Sequence, residues 1–300
     1  MSSTRQLRTQ IKSLKSLQKI LKALEIVSTI KLQKMKKKTE LLRDFLIDFL
    51  NVLQSVGWDI NLFDFDKKSR DPDWRRLIIL VSTDKWLCWP ITSKLTKHLS
   101  TKYAERKEKV DIFVIWKKWL EFFVRDGWNI VWSLQLKDDF KEEELIPLYT
   151  YIKKSLEEKK YSKIKIYFNY FKTTMLQVPL RFKLFPLDKE SFDMFLQDID
   201  VKFDKIKKPK INALLTEPSK EFLVQKLIQE SIKYIVYSAV IQNKTWEHAS
   251  RMLAMKSAKD NSWDIIKNVS IKYNKVRQSK ITQEISEIWN AKMAIEQNQK

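Results

Sequence analysis

The side chains that most often carry out chemistry are scarce in this sequence. It contains one cysteine, Cys88, and two histidines, His98 and His248, which lie far apart along the chain. No Ser/His/Asp or Cys/His catalytic arrangement can be argued from them, and a zinc site of several cysteines is excluded. The stretch "WLCWPITSK" lacks both the glycines and the Gly-Lys-Ser/Thr ending of a phosphate-binding loop. We therefore expect no catalytic residue, no metal site and no cofactor.

The charge balance points to a binding role instead. The chain has 300 residues and a formal net charge of +21, and 44% of its residues are apolar, so it can bury a core. An excess of positive charge this large predicts an acidic partner, such as nucleic acid, an anionic membrane surface or an acidic protein face. No apolar run is long enough to span a membrane, and the start "MSSTRQLRTQIKSLKSL" lacks the apolar block of a signal peptide. These features predict a location in the cytosol.

Both ends of the chain show long helical patterns. Within residues 5–56, leucines and isoleucines recur mostly every three or four residues, with lysines between them and no proline. A second pattern covers residues 217–297, beginning near Pro218. At 1.5 Å per residue these helices would be about 75 Å and about 120 Å long, which exceeds a single globular core and favours a coiled coil.

The middle of the chain predicts a different architecture. Four short apolar runs read as strands, at 77–81, 110–115, 129–134 and 163–171. Helical patterns at 92–106 and 142–158 separate some of them. We therefore predict a fold of class α/β, a long antiparallel coiled coil of N- and C-terminal helices with an inserted Rossmann-like α/β domain. The predicted parts are the N-terminal helix at 1–60, the insert at 75–205 and the C-terminal helix at 217–300.

Glycine and tryptophan occur in unusual numbers. Average usage would give about 20 glycines in this length, yet the chain has 2, together with 11 tryptophans. Several tryptophans stand in turn-like places between polar residues, as in "TDKWLCWP" and "RDGWNIVWS". We interpret most of them as glycines misread in translation, because the codon UGA encodes glycine in some bacterial lineages and tryptophan in other codes. The alternative is a chain that is truly rich in tryptophan.

The C-terminal region carries the most specific motifs. It contains Arg251-Met252, Ala254-Met255-Lys256, Asp260-Asn261, Tyr273-Asn274-Lys275, Arg277-Gln278 and Ile281-Thr282-Gln283-Glu284-Ile285. In this order they resemble the C-terminal signature of the gamma subunit of F-type ATP synthases, the central rotor shaft. The N-terminal stretch "IKSLKSLQKILKALEIVSTIKLQK" is similar to the family's first helix, with Leu21 and Leu24 where the family has threonine and methionine. The resemblance covers nearly the whole chain.

The resemblance also bears on the tryptophans. The family's loop after the first strand reads Ser-Asp-Arg-Gly-Leu-Cys-Gly, and "STDKWLCW" carries tryptophan at both glycine positions. "VIWKKW" matches a family Ile-Gly-x-Lys-Gly, and "EIWNA" approximately matches Ile-Val-Gly-Gly-Ala. The family's glycine positions that hold tryptophan are thus Trp86, Trp89, Trp116, Trp119 and Trp289.

The resemblance implies a role and a set of contacts. The two terminal helices would turn inside the ring of alpha and beta subunits, and the insert would grip the membrane rotor ring of c subunits beside the epsilon subunit. Proton or sodium flow would then be coupled to ATP synthesis or hydrolysis at the cytoplasmic face of a bacterial inner membrane. Arg277, Gln278 and Thr282 would form a polar catch against a beta subunit. Lys22, Leu24 and Arg251 match a second contact zone near the base of the ring.

Other interpretations stay open at this point. Arg277 could be an ordinary exposed arginine of a coiled coil. The whole chain could be a basic coiled-coil scaffold, or a nucleic-acid-binding protein that holds phosphates, although it contains no recognisable nucleic-acid-binding motif. An independent enzyme is the weakest alternative, because the chain offers no reactive site.

Overall fold

The regular elements of the chain are two very long helices and an α/β layer structure between them. The structure is a computed structural model that describes residues 4–56, 75–83, 89–117, 120–186, 217 and 219–298. In chain order the elements are α1 (Thr4–Val56), β1 (Arg76–Val81), α2 (Trp89–Tyr103), β2 (Val110–Ile115), α3 (Leu120–Arg125), β3 (Asn129–Leu134), α4 (Ile146–Glu157), β4 (Lys163–Phe171), β5 (Gln177–Phe185) and α5 (Lys220–Asn298). Short 3₁₀ turns precede β2 and α4.

The five strands form one sheet in the order β3-β2-β1-β4-β5. The pairs β1–β2, β1–β4 and β2–β3 are parallel, and β5 closes one edge as an antiparallel partner of β4. Helices connect the parallel strands. Such strand–helix–strand connections are normally right-handed. The strand order reverses between β1 and β4, which makes the gap between their carboxyl ends a topological switch point.

Both faces of the sheet are buried, which explains why its central strands are nearly continuous apolar runs. All six residues of β2 and the last five of β1 are buried. On one face Ile78, Leu80 and their neighbours pack on α2 and α3. On the other face Leu77, Ile79 and their neighbours pack on α4 and on parts of α1 and α5. The result is a three-layer α/β/α core.

The described chain divides into two units. One unit contains residues 1–29 and 251–300, and the other contains residues 30–250. Within the second unit α1 and α5 run antiparallel, because Thr39 meets Thr245 while Phe45, further along α1, meets Tyr234, which lies earlier in α5. Within the first unit the two helices are linked by a hydrogen bond from Lys259 to Glu25, which raises the pKa of Lys259.

The predicted fold class is confirmed, and the four predicted strands and both terminal helices appear close to their expected bounds. Two elements were missed. Strand β5 contains Pro179. Proline is unfavourable in a central strand, but it is tolerated on an edge strand such as this one. Helix α3 has six residues, too few for a clear helical period. The division of the chain at 60, 75, 205 and 217 stays a prediction.

The tryptophans whose side chains the structure describes divide into a buried group and an exposed group. Among the six whose side chains the structure describes, Trp116, Trp128 and Trp246 are buried, and Trp132, Trp263 and Trp289 are exposed. Trp86 and Trp119 lie outside the described residues, as does Cys88, and Trp89 begins α2. Burial of half of the described group does not decide between glycine and tryptophan.

Trp116 carries the strongest sign of a glycine position. Its φ of 66° lies in the left-handed region, where a bulky residue is strained and glycine is not. The indole is nevertheless fully buried, donates from Nε1 to the Leu136 carbonyl at 3.1 Å and meets Phe140 edge-on. The backbone therefore favours glycine, whereas the packing uses the indole.

A mass spectrum of the native peptide covering Val110–Lys117 tests the misreading interpretation. We expect a glycine mass at position 116, because the turn after β2 needs a positive φ. A tryptophan mass would show that the chain tolerates left-handed strain there, and the misreading interpretation would have to be abandoned for this position.

Candidate functional site

The switch point of the sheet is occupied by the protein itself. In open α/β sheets, ligands bind in the crevice at the carboxyl ends of the strands where the order reverses. Here the side chain of Asn243 from α5 fills that place. Its Oδ1 accepts from the backbone N and Nδ2 of Asn169 at 3.2 and 3.0 Å, and its Nδ2 donates to the carbonyl of Ser82 at 2.6 Å. The site that binds nucleotides in other sheets therefore anchors a helix here.

Asn243 is one of four consecutive polar side chains in α5 that bond to different parts of the second unit. We name Gln242, Asn243, Lys244 and Thr245 the polar lock. Gln242 accepts from the backbone N of Phe171 in β4 at 3.3 Å, and Thr245 lies 3.1 Å from the hydroxyl of Thr39 in α1. Successive residues of a helix point about 100° apart, so these bonds surround the helix. The polar lock fixes the axial position and the rotation of α5.

Lys244 is the charged member of the polar lock. Its side chain is fully buried, and its Nζ lies 3.0 Å from Oδ1 of Asp138 and 3.3 Å from Oε2 of Glu247. The ammonium also lies 4.7 Å from the ring centre of Trp116, within cation–π range. A buried ammonium is tolerated only when it is paired and hydrogen-bonded. The two carboxylates and the indole therefore compensate the burial of this charge.

Asp138 and Asp139, which we name the acidic turn, connect the α/β layers to α1 as well. Lys31 donates to Asp138 at 2.5 Å, and Lys34 donates to Asp139 at 2.6 Å. The hydrogen bond from Lys34 lowers the pKa of Asp139, and the charges of Lys38 and Lys31 add to this shift. The stabilisation is thus present at neutral pH and is lost in acid, as the pH falls through the lowered pKa. The acidic turn binds both long helices.

The predicted polar catch lies on the open surface of α5. Arg277, Gln278 and Thr282 are all exposed, and the hydroxyl of Thr282 donates to the Gln278 carbonyl at 3.0 Å. Gln278 and Thr282 are four residues apart and so share a face, as the sequence predicts. The guanidinium of Arg277 lies 6.0 Å from the ring of Tyr273. Their function as a catch stays a prediction.

The residues of the second predicted contact zone differ in their exposure. Lys22 and Leu24 are exposed on α1, whereas Arg251 is only 7% exposed. The burial of Arg251 separates it from the other five predicted contact residues. A contact function for Arg251 stays a prediction, and its burial indicates that it would act through the residues around it.

Apolar side chains also lie exposed along this part of α5. Ile281, Ile285 and Ile288 are 48%, 61% and 71% exposed, and their spacing of four and three residues places them in one stripe. Trp289 beside them is 63% exposed. A row of exposed apolar groups is typical of a surface that a partner covers.

The sequence did not reveal the polar lock or the acidic turn. Asp138 lies 107 residues from Lys31 and 106 from Lys244, and each of these residues alone is an ordinary surface charge in the sequence. The available signal was the adjacent pair of aspartates in "LKDDFKEEE", set against the lysine-rich run "KLQKMKKK". Only the fold shows that they meet.

No group of three or more metal-ligating side chains occurs within the residues that the structure describes. None of the helices in the described ranges combines the length and the apolar character that crossing a membrane requires.

Comparison with known proteins gives a consistent result along the whole chain. A family model described as ATP synthase matches residues 3–295. The chain is 34% identical over 306 residues to the ATP synthase gamma chain of Buchnera aphidicola, covering 99% of this chain and 100% of that one. It is 30% identical over 292 residues to the ATP synthase gamma chain of Legionella pneumophila strain Corby, covering 96% and 98%.

Solved structures agree at the level of the fold. A chain in the mitochondrial ATP synthase of Euglena gracilis, in the OSCP/F1/c-ring portion, is similar with a TM-score of 0.65 and 18% identity over 99% of this chain and 96% of that one. A chain of the central stalk and c-ring of the Tetrahymena thermophila mitochondrial ATP synthase is similar with a TM-score of 0.57 and 18% identity, over 80% and 99%.

Replacing Asp138 by alanine tests the pairing of Lys244. We expect D138A to lower the free energy of unfolding of the full chain by about 3 kcal/mol, because it removes one of the two carboxylates that compensate a buried ammonium. The neighbouring variant D139A removes an exposed ion pair and should cost less than about 1 kcal/mol. Urea denaturation of both variants measures the difference. Equal losses would show that Lys244 does not depend on Asp138.

Proposed function

Because this chain belongs to the ATP synthase gamma chain family, we propose that it is the central-stalk subunit of a bacterial ATP synthase and rotates inside the ring of alpha and beta subunits. The observation that carries this proposal is the match of residues 3–295 to the ATP synthase family, together with two gamma chains at least 30% identical over nearly the full length. In this role the chain is a rotor component and carries out no catalysis itself.

The polar lock supplies the stiffness that a rotor needs. Coupling by rotation requires that a twist applied to the α/β layers reaches the helices without slippage. Four consecutive side chains of α5 bond to the segment directly after β1, to β4, to α1 and to the acidic turn, and the acidic turn also binds α1. Rotation of α5 within the insert would break several of these bonds at once, including the pairing of a buried charge. The insert would therefore turn together with the parts of α1 and α5 that belong to the second unit.

The exposed surface of the first unit suits the inner face of a ring. Residues 1–29 carry six basic residues, namely Arg5, Arg8, Lys12, Lys15, Lys19 and Lys22, against one acidic residue, Glu25. Such a surface favours acidic loops of the surrounding subunits through complementary potential. As the rotor turns, each of its faces would stabilise a different beta-subunit conformation, which is the differential binding that a change of state requires.

Three residues are proposed to make the catch against a beta subunit. Arg277 projects a planar guanidinium that can bind a carboxylate through two parallel hydrogen bonds. Gln278 and Thr282 offer polar groups on a shared face beside it. Lys22, Leu24 and Arg251 would form the second zone, nearer the base of the ring.

The remaining partners follow from the same assembly. The insert would bind the epsilon subunit and the membrane rotor ring of c subunits, through which protons or sodium ions pass. The chain would then be held peripherally at the cytoplasmic face of the cell inner membrane. Similar chains have been solved within a mitochondrial rotor and within an OSCP/F1/c-ring portion, which supports a contact with a c-ring. No observation favours the alternative of a nucleic-acid-binding scaffold.

Co-purification from the source bacterium tests the proposed function. An affinity tag on this chain should recover the alpha, beta and epsilon subunits together with ATP hydrolysis activity. Recovery of nucleic acid, or of the chain without alpha and beta subunits, would contradict the proposal.

Variants of Arg277 test the proposed catch. In the purified complex, R277A should lower ATP-driven ion pumping about tenfold, which corresponds to about 1.4 kcal/mol, because the bidentate contact is lost. R277K keeps the charge but loses the planar fork, so it should fall between R277A and the unmodified complex. The control is K272A, which removes an exposed basic residue from the same helix. Equal pumping by R277A and K272A would show that Arg277 is an ordinary surface arginine.

A further inference from the structure

Four basic side chains from three neighbouring strands share one face of the sheet. Arg76 of β1 is the register partner of Lys163 in β4, and Lys165 in β4 is the register partner of Lys183 in β5. Lys163 and Lys165 are two residues apart and so point to the same side. All four are half-buried. With strands about 4.8 Å apart and alternate residues about 6.6 Å apart, their backbones form a compact grid, which we name the basic grid.

Lys165 lies at the centre of the basic grid, and neighbouring side chains enclose it on one side. Its Nζ donates to the hydroxyl of Tyr103 at 3.4 Å, and that hydroxyl lies 3.3 Å from the hydroxyl of Tyr167. The ring of His98 from α2 lies 6.3 Å from the ring of Tyr167. The hydroxyl of Tyr103 therefore contacts the ammonium directly, and the hydroxyl of Tyr167 lies behind it.

The charges that act on Lys165 are all of its own sign within the described residues. Burial lowers the pKa of Lys165 to about 8, and Lys163, Arg76 and Lys183 add to this effect in that order. Exposed Arg181, two residues before Lys183, extends the same face. Like charges held this closely destabilise the protein, and a bound anion relieves the repulsion.

The compactness of the basic grid decides which anion fits it. An acidic protein surface brings one charge per side chain, and neighbouring carboxylates repel one another across the same short distances. A phosphoryl group places up to two negative charges and three acceptor oxygens in a single tetrahedron. Lysine ammonium groups bind such a group as point charges, and an arginine adds paired donors.

We propose that the basic grid binds a phosphoryl anion carrying more than one negative charge, held by Arg76, Lys163, Lys165 and Lys183. This site lies on the opposite face of the sheet from the contacts of Lys244 with the acidic turn. It goes beyond the proposed rotor function and does not depend on it.

Isothermal titration of the full chain with inorganic pyrophosphate tests the proposal. We expect one binding site, and K165M should weaken binding at least about tenfold, because it removes the central cation. The control K153M removes an exposed lysine of α4 with the same change of charge and should leave the affinity within about twofold. K165M should keep the free energy of unfolding at or above that of the unmodified chain, since it removes a like charge, so a folding defect cannot explain the loss.

Proton uptake provides a second and more specific readout. At pH 8.5 much of the Lys165 amine is neutral, and an anion that binds beside it should draw a proton onto it. Titrations in two buffers of different ionisation enthalpy should therefore show proton uptake in the unmodified chain and less in K165M. Affinity should fall as the pH rises above about 8.

A co-sedimentation experiment with lipid vesicles identifies the source of the phosphoryl group. Co-sedimentation with phosphatidic acid in phosphatidylcholine vesicles, lost in K165M, would assign the group to a lipid headgroup, because this phosphomonoester carries more than one negative charge. Pyrophosphate binding without co-sedimentation would assign it to a soluble anion. Absence of binding in both arms, or equal affinity of K165M and K153M for the bound partner, would overturn the proposal.

Discussion

The buried pairing of Lys244 with Asp138 and Glu247 ties helix α5 to the α/β layers. An ammonium withdrawn from water is costly unless its carboxylate partners are in place. Asp138 lies in the acidic turn after β3, and Glu247 lies in the next turn of α5 itself. Both ion pairs of Lys244 can therefore form together only when the α/β layers and the helix are assembled. Gln242, Asn243 and Thr245 then add hydrogen bonds in other directions.

This constraint changes what the α/β insert does. Its strand order creates a switch point of the kind that binds cofactors in other proteins, but Asn243 occupies the crevice. The insert therefore functions as a clamp on a helix, and the polar groups that would otherwise recognise a ligand hold α5 at one rotation angle. A rotor shaft needs this arrangement more than it needs a reactive group.

Much of the fold could be predicted from local patterns, because they reflect local physics. The apolar runs that form β1 and β2 are buried on both faces, and the long helical periods at both ends are real helices. Strand β5 could not be predicted, since Pro179 suits only an edge position that the sequence does not reveal. The basic grid could not be predicted either, because Lys183 pairs with Lys165 only when β5 is recognised as a strand. The polar lock depends on contacts across more than 70 residues of sequence, for which residue type alone gives no signal.

We propose that the insert and the parts of α1 and α5 in the second unit turn as one body inside a ring of catalytic subunits. A single-molecule rotation assay on the purified complex tests it most directly. The bead would be attached through K153C on the exposed surface of α4, in a chain that also carries C88S. We expect continuous rotation of the bead in one direction while ATP is hydrolysed. ATP hydrolysis with a stationary bead would contradict it.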